Sequence, residues 1–281
     1  MAVHKSLNIK GSLISLDSPL VMGILNITPD SFYDGSRKQT EAEINARVEE
    51  ILGEGGQIID IGGYSSRPGA IHVSEEEEMS RLAFALRIIN ANHPEAVVSI
   101  DTFRAGIARR CVEEYGAAII NDIAGGGLDD QMFNTIASLR VPYIMMHMRG
   151  TPQDMQSHTQ YDNLVVDIRK CFADKIYRLQ LLGVNDIIID PGFGFSKTTD
   201  QNYQLMHYLK EFTIFGLPLL VGISRKGMIY KFLESTPAES LNGTTVLNTI
   251  ALLNGADILR VHDVKEAVEA VRLVGKYTNA I

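Results

Sequence analysis

The chain has few of the features that mark secreted, membrane-spanning or nucleic-acid-binding proteins. Its two cysteines, Cys111 and Cys171, form no CxxC pair among 281 residues, so we interpret them as buried thiols of a reducing cytosol. No apolar stretch reaches the ~18 residues of a membrane span, and residues 1–16 do not resemble a signal peptide. The net charge of −8 argues against nucleic acids and acidic membranes as partners. We expect a soluble, cytoplasmic protein.

Eight short apolar runs are the strongest positive feature, and each ends in a polar or glycine-rich cluster. Their ends fall 20 to 43 residues apart, which fits the roughly 30 residues of a strand–helix unit. Eight such units need roughly 250 residues. We therefore predict an α/β TIM barrel, a (β/α)8 barrel, formed as a single domain over residues 1–281. The predicted strands are 21–25, 58–61, 97–100, 118–120, 143–146, 187–189, 219–222 and 258–261.

Two local patterns add detail to this barrel. Residues 6–17 read as two short strands around a Lys-Gly-Ser turn, a β-hairpin that we expect to close the bottom of the barrel. Ser74 with Glu77 predicts the start of a helix by a capping box. The acidic run from Glu75 to Glu78 is expected to be a solvated first turn.

Three polar residues follow apolar strands directly: Asp101, Asn121 and Asp190. Any one of them could cap the next helix. Burying all three at strand ends is costly unless each finds hydrogen-bond partners. A planar heterocycle with amidine-like N–H groups would satisfy them as a set.

Basic residues and loops at the same rim indicate an anionic ligand. Ser224, Arg260 and His262 follow strands seven and eight, the usual phosphate site of this fold, and Arg67 lies among glycines after strand two. The alternative is that Arg260 and His262 only pair with Asp263 or other rim acids. The long first loop, 26–35, is a candidate lid or metal-holding segment. After strand six, Phe193 and Phe195 are candidates for stacking or for ordinary packing.

Ordered motifs over almost the whole chain resemble those of the dihydropteroate synthase family. The segments that carry the resemblance are MGILNITPDSF from Met22, DIGG from Asp60, RPG from Arg67, SIDT from Ser99, INDI from Ile120, MHM from Met146, DPGFGF from Asp190, SRK from Ser224 and RVHDV from Arg260.

The resemblance implies condensation of 6-hydroxymethyl-7,8-dihydropterin diphosphate with 4-aminobenzoate, giving 7,8-dihydropteroate and pyrophosphate for folate biosynthesis. Catalytic roles would fall to Phe32, Asp34, Arg67 and Lys226. The pterin edge would meet Asp101, Asn121, Asp190 and Lys226, and its faces Ile123, Met146, Phe195 and Arg260. The diphosphate would meet Arg67, Ser224, Arg260 and His262, with Mg²⁺ held in part by Asn26.

The first two loops, through Phe32, Asp34, Ser66, Arg67 and Pro68, would close over the site and shape the 4-aminobenzoate pocket. The family also leads us to expect a homodimer. The chain departs from the family pattern mostly near the second substrate: Tyr64-Ser65-Ser66 stands where Glu-Ser-Thr is common, and Gly227 where serine is common.

Three alternatives remain open at this point. A related pterin enzyme could transfer a methyl group from methyltetrahydrofolate to a corrinoid partner, but it would not need Arg67, Lys226 and the long first loop together. A Schiff-base aldolase could use Lys226. A non-catalytic pterin-binding paralogue could keep the rim and lose Asp34 or Arg67.

Overall fold

A computed structural model describes residues 4–27, 37–64 and 73–280. The strands are β1 (Ser6–Ile9), β2 (Ser12–Ser15), β3 (Leu20–Asn26), β4 (Ile58–Gly62), β5 (Val98–Asp101), β6 (Ile119–Asp122), β7 (Tyr143–Met146), β8 (Ile187–Asp190), β9 (Leu220–Val221) and β10 (Ile258–Val261). The α-helices of the described ranges are α1 (Arg37–Gly53), α2 (Glu75–Asn92), α3 (Ala105–Tyr115), α4 (Met132–Leu139), α5 (Leu164–Leu181), α6 (Thr199–His207), α7 (Gly227–Tyr230), α8 (Leu241–Leu253) and α9 (Val264–Thr278).

Strands β3 to β10 form one parallel sheet that curls into a barrel. The strand order is β8-β7-β6-β5-β4-β3-β10-β9, and a parallel bridge between Ile189 and Leu219 joins its two edges. Helices follow the strands on the outside, so both faces of the sheet are buried. The predicted TIM barrel is confirmed, and each predicted strand agrees with an observed one to within a residue or two.

The predicted hairpin is also confirmed. Strands β1 and β2 pair antiparallel, and Leu7 and Ile9 are buried against the first residues of the barrel strands, among them Leu20, Ile58 and Ile258. The Asn8 N–H donates to Asp186 Oδ1 at 2.9 Å just before β8. The hairpin therefore seals the N-terminal end of the barrel, opposite the rim that carries the polar residues.

Helix α1 packs closely on the outside of β3. A Cβ atom at Gly23 would lie 2.7 Å from side-chain carbons of Ile51, so only glycine allows this approach. None of the helices in the described ranges is long and apolar enough to cross a membrane.

Helix α2 begins where the sequence predicts, but its acidic first turn is not uniformly solvated. Ser74 caps the helix by accepting a hydrogen bond from the Glu77 N–H at 3.1 Å. Glu78 is wholly buried and bonds Thr102 Oγ1 at 2.8 Å and the Arg104 guanidinium. The expectation of a solvated run is wrong for Glu78, because the residue faces the loop after β5.

Candidate active site

Arg260, on β10, is the centre of the polar cluster at the C-terminal rim of the barrel. Its Nε donates to Asp60 Oδ2 at 2.6 Å and its Nη2 to Asp101 Oδ2 at 2.9 Å. Asn121 Nδ2 donates to the same Asp60 oxygen at 3.1 Å. The four side chains come from β10, β4, β5 and β6, so parallel strands deliver them to one edge. Asp101 and Asn121 converge as the sequence predicts.

Asp60 is the anchor of this cluster, and its role was not predicted from the sequence. Its side chain is 0% exposed, whereas those of Asp101 and Arg260 are 15% and 19% exposed. Asp60 therefore holds the guanidinium from inside the barrel, while Asp101 remains within reach of a ligand. A signal was present: an acid within the apolar run Ile58-Ile59-Asp60-Ile61 must find a buried partner.

Lys226, which follows β9, lies across the rim at the turn after β8. Its Nζ donates to the Phe193 carbonyl at 2.5 Å and lies 4.6 Å from the centre of the Phe195 ring, a cation–π contact. Phe193 is fully buried, whereas Phe195 is only half-buried. Phe193 therefore packs in the core, whereas the Phe195 ring is partly exposed beside Lys226.

Ser224 and His262 form the third part of the rim. Ser224 Oγ lies 3.1 Å from His262 Nδ1 and accepts a hydrogen bond from the His262 backbone N–H at 3.1 Å. Arg47 of α1, which was not predicted from the sequence, donates to the His262 carbonyl at 2.6 Å and so fixes it from below. Nothing in the spacing of α1 distinguishes this arginine.

Arg260 pairs with the rim acids Asp60 and Asp101, as the alternative interpretation allows. Asp263 instead pairs with Arg225. It receives Nη2 and Nε of Arg225 at 2.7 and 2.9 Å, and Arg225 also binds the carbonyls of residues 237 and 238. Of the two basic residues after Ser224, only Lys226 therefore points into the site.

Asn26 lies at the end of β3, where a metal ligand is expected. A Cβ atom at Gly62 would lie 3.7 Å from Asn26 Oδ1 and 3.8 Å from Asp101 Oδ2, so the two oxygens flank this glycine. Across the described residues, no group of three or more His, Cys, Asp or Glu side chains is arranged to hold a metal ion. An amide oxygen beside a carboxylate nevertheless suits Mg²⁺, which takes few protein ligands and is completed by phosphate and water.

Burial changes the protonation of the rim. It raises the pKa of Asp101 to about 7, an effect that Arg260 opposes and Asp60 reinforces. Burial also raises the pKa of Asp190, against the charge of Lys226, and lowers the pKa of Lys226 to about 8, against the charge of Asp190. Shifts of this kind are typical of functional sites.

The remaining predicted residues divide into two groups. Ile123 and Met146 are buried just after β6 and at the end of β7, and Asp190 pairs in register with Met146. The expected loop residues lie outside the described part of the chain: Phe32, Asp34, Ser66, Arg67 and Pro68.

The fold and the rim define a (β/α)8 enzyme with a site for a flat, nitrogen-rich ring that carries an anionic group. A family model described as pterin binding enzyme matches residues 22–262. Dihydropteroate synthase of Escherichia coli is 41% identical over 267 residues, 94% of each chain. Dihydropteroate synthase of Synechocystis is 41% identical, over 93% of this chain and 89% of its own.

Solved structures agree with these relatives. The Yersinia pestis dihydropteroate synthase, in complex with a sulfonamide drug, has a TM-score of 0.89 at 38% identity and covers 99% of this chain and 100% of its own. The Xanthomonas albilineans enzyme, with 4-aminobenzoic acid, has a TM-score of 0.87 at 34% identity and 99% coverage of both chains. The chain belongs to the dihydropteroate synthase family, transferases of folate biosynthesis.

Proposed function

We propose that the rim binds 6-hydroxymethyl-7,8-dihydropterin diphosphate and joins its methylene carbon to the amine of 4-aminobenzoate. The observation that supports this proposal is the convergence of Asp101, Asn121 and Lys226 around Arg260 at one end of the barrel. Together these side chains could accept hydrogen bonds from the edge of a pterin and donate hydrogen bonds to it. Asp190, beside Lys226, extends the same set.

The pterin ring would lie between Arg260 on one side and the apolar side chains Ile123, Met146 and Phe195 on the other. Asp60 makes this arrangement possible, because it holds the Arg260 guanidinium in place from the interior. Because this arginine is already fixed, stacking on a ring would cost little further side-chain conformational entropy.

The diphosphate would extend from the ring toward Ser224 and His262, with Arg260 between ring and phosphate. Asn26, at the end of β3, would hold in part a Mg²⁺ ion on the diphosphate. When bound, the ion would supply charge neutralisation for the leaving group. The chain's own hydroxyl, imidazole and guanidinium groups stabilise the same developing negative charge.

The reaction breaks the bond between the methylene carbon and the diphosphate oxygen, and the electron pair leaves with pyrophosphate. The lone pair of the 4-aminobenzoate nitrogen forms the new C–N bond, and that nitrogen then loses one proton. The carboxylates of Asp101 and Asp190 stabilise positive charge on the pterin as the leaving group departs. The aromatic amine is neutral near pH 7, so no strong general base is required.

The pocket for 4-aminobenzoate would be formed by the two loops that carry Phe32, Asp34, Ser66, Arg67 and Pro68. The departure at Tyr64 has a structural use: its ring packs edge-on against Phe103 at 5.2 Å, and Gln153 Nε2 lies 2.6 Å from its hydroxyl. The tyrosine thereby joins the second loop to the loop after β7. We infer that the departures alter 4-aminobenzoate and sulfonamide affinity and leave the pterin subsite unchanged.

A pyrophosphate-release assay tests this function. The full chain is incubated with dihydropterin diphosphate and Mg²⁺, with and without 4-aminobenzoate. Release that depends on 4-aminobenzoate and is lost in Asp101→Asn and Lys226→Ala supports the synthase. Pterin binding without release would instead indicate the non-catalytic paralogue. Transfer of a methyl group would indicate the corrinoid-linked enzyme, and borohydride trapping of a carbonyl substrate on Lys226 the aldolase.

We also infer that the chain forms a homodimer through the outer faces of α8 and α9. Helix α8 contains no charged residue, so two copies can approach without repulsion between like charges. The large apolar side chains exposed on these two helices are Val246, Ile250, Leu253, Leu273 and Tyr277. A contact that pairs the same surface of two copies closes with twofold symmetry. Sedimentation of the wild type and of Leu273→Asp checks this: a dimer in the first and a monomer in the second are expected.

Three expectations from the sequence stay predictions: that the whole chain is one domain over residues 1–281, that it acts in the cytoplasm, and that it has no nucleic-acid or membrane partner.

A further inference from the structure

Lys197 is a buried lysine that contacts the turn after β8, residues 192–195. The Lys197 side chain is 3% exposed and its Nζ contacts three acceptors: the Gly192 carbonyl at 3.0 Å, the Phe195 carbonyl at 3.0 Å and His147 Nδ1 at 3.2 Å. An ammonium has three N–H donors and no acceptor. Each donor therefore has a partner within the protein, and none is left for a ligand.

His147 is adapted to this contact. It is 2% exposed, and burial together with the charge of Lys197 holds its pKa well below the ordinary value. The ring is thus neutral. Burial also lowers the pKa of Lys197 to about 7; in its ammonium form Lys197 donates to Nδ1, which places the ring proton on Nε2. His147 lies at the end of β7, so Lys197 ties the turn after β8 to the neighbouring strand.

The same turn is held from its other side by Lys226. The Phe193 carbonyl accepts from Lys226 Nζ at 2.5 Å, while the carbonyls of Gly192 and Phe195 accept from Lys197. Two lysines thus bind carbonyls of one four-residue stretch from opposite sides. The half-buried Phe195 ring lies 4.6 Å from Lys226 Nζ, on the substrate side.

The turn requires glycine at two positions. Gly192 has a φ of +75°, and a Cβ atom there would lie 2.1 Å from the His147 carbonyl oxygen. Gly194 has a φ of +83°, and its N–H donates to Asn202 Oδ1 at 2.7 Å. Glycines at both positions allow the turn, but they also make it flexible in isolation. The side chains around it must therefore supply its order.

A buried ammonium is an expensive way to fill space. An apolar side chain of similar length would pack against the same surroundings without the desolvation cost of a charge. What an apolar side chain could not do is hold two backbone carbonyls and a ring nitrogen in fixed positions. Lys197 therefore serves to fix the backbone of the turn, and not merely to fill space.

We propose that Lys197 is a positioning residue of the pterin subsite: it fixes the turn after β8 so that the Phe193 carbonyl orients Lys226 and the Phe195 ring faces the substrate. Lys197 itself does not touch the substrate. The proposal rests on the proposed function, since it takes Lys226 and Phe195 as pterin contacts.

The test uses Lys197→Met in the full chain, which keeps the length of the side chain and removes its donors. The probe is 6-hydroxymethylpterin, which lacks the diphosphate, titrated by calorimetry. We expect its Kd to rise about tenfold, the effect of losing one well-placed hydrogen bond in the subsite. In the complete reaction, the KM for dihydropterin diphosphate should rise similarly while kcat changes less than about threefold.

The matched control is Lys5→Met. Lys5 is also a largely buried lysine, 15% exposed, and bonds Asp257 Oδ2 at 2.7 Å at the opposite end of the barrel. Its loss should lower Tm and leave pterin affinity unchanged. If Lys197→Met fails to fold, Lys197→Gln retains an amide donor and is expected to give an intermediate loss of affinity.

Wild-type pterin affinity in both Lys197 variants, or a fall in kcat at constant KM and Kd, would overturn the proposal and leave Lys197 a structural residue. The outcome is separable from that of the proposed function. Calorimetry reports on Lys197 even if the wild type releases no pyrophosphate, and the release assay reports on the wild type alone.

Discussion

Arg260 Nε and Asp60 Oδ2 lie 2.6 Å apart, and the aspartate has no exposed surface. The pair joins β10 to β4, the two neighbours of β3 in the sheet, and Arg260 reaches Asp101 with Nη2. The guanidinium that the substrate would meet is therefore anchored from within the barrel.

Asp60→Asn should both destabilise the chain and weaken the pterin subsite. Removing the Asp60 charge leaves Asp101 as the charged partner of Arg260, so the free energy of unfolding should fall by up to about 3 kcal/mol, the lower end of the cost of breaking a buried pair. Denaturant titration measures this cost, and Arg110→Met is the control. Arg110 pairs with Glu114 on the surface, so its loss should leave the denaturation midpoint nearly unchanged. Equal effects of the two substitutions would contradict the anchoring role.

Pterin affinity should depend on pH with a maximum between about 7 and about 8. Asp101, whose pKa burial raises to about 7, accepts N–H groups of the ring only when ionised, so affinity falls as pH drops through that value. Lys226, whose pKa burial lowers to about 8, donates as an ammonium, so affinity falls again as pH rises through it. Calorimetry with 6-hydroxymethylpterin over this range gives the profile.

Two variants show which residue causes the loss of affinity on each side of the pH profile. Asp101→Asn should remove the acidic limb and Lys226→Met the alkaline one, each at reduced affinity. Because the same probe is used throughout, its own titration cancels in the comparison. A wild-type profile retained in both variants would show that neither group governs binding.

Asn26→Ala should raise the Mg²⁺ concentration needed for half-maximal pyrophosphate release by about tenfold, since Mg²⁺ sites on phosphates use only one or two protein oxygens. Calorimetric titration of Mg²⁺ with pyrophosphate present gives a second readout that does not depend on turnover. Asn92→Ala removes a surface contact with Asn45 and should leave the Mg²⁺ dependence unchanged. If Asn26→Ala behaves like Asn92→Ala, then Asn26 is not a ligand.

Glu78→Gln should destabilise the chain far more than Glu76→Gln, although both residues belong to the first turn of α2. Glu78 is wholly buried against Arg104 and Thr102. Its neutralisation leaves the Arg104 guanidinium without its carboxylate, a cost of up to about 3 kcal/mol, which burial reduces because it raises the Glu78 pKa. Glu76 is exposed and contributes mainly through the helix dipole, so its neutralisation should change Tm only slightly. Thermal unfolding of the two variants distinguishes them, and similar Tm values would show that the buried pair adds little.

The barrel could be predicted because its strands are continuous apolar runs with acids or amides at their ends. Burial on both faces requires such runs, and strand ends in this fold share one rim. The convergence of Asp101 and Asn121 followed from the same reasoning. The closeness of Ser224 to His262 also followed, since each comes directly after a neighbouring strand.

What could not be predicted are contacts that depend on the path of a loop or the rotation of a helix. Glu78 sits in a run of four glutamates, and only the packing of α2 against the loop after β5 distinguishes it from its exposed neighbours. Lys197 follows a turn by two residues, and no local pattern shows that its side chain folds back underneath. Arg225 and Lys226 are adjacent in sequence, but Arg225 binds Asp263 and therefore points away from the site.

The hairpin covers the N-terminal end of a barrel whose interior is filled with packed side chains, so the C-terminal rim is its open end. Leu7 and Ile9 block the floor, so no ligand can pass through from below. Both substrates must arrive, and both products depart, by way of the same rim. Under the proposed function, pyrophosphate at this rim would have to leave before the next dihydropterin diphosphate could bind.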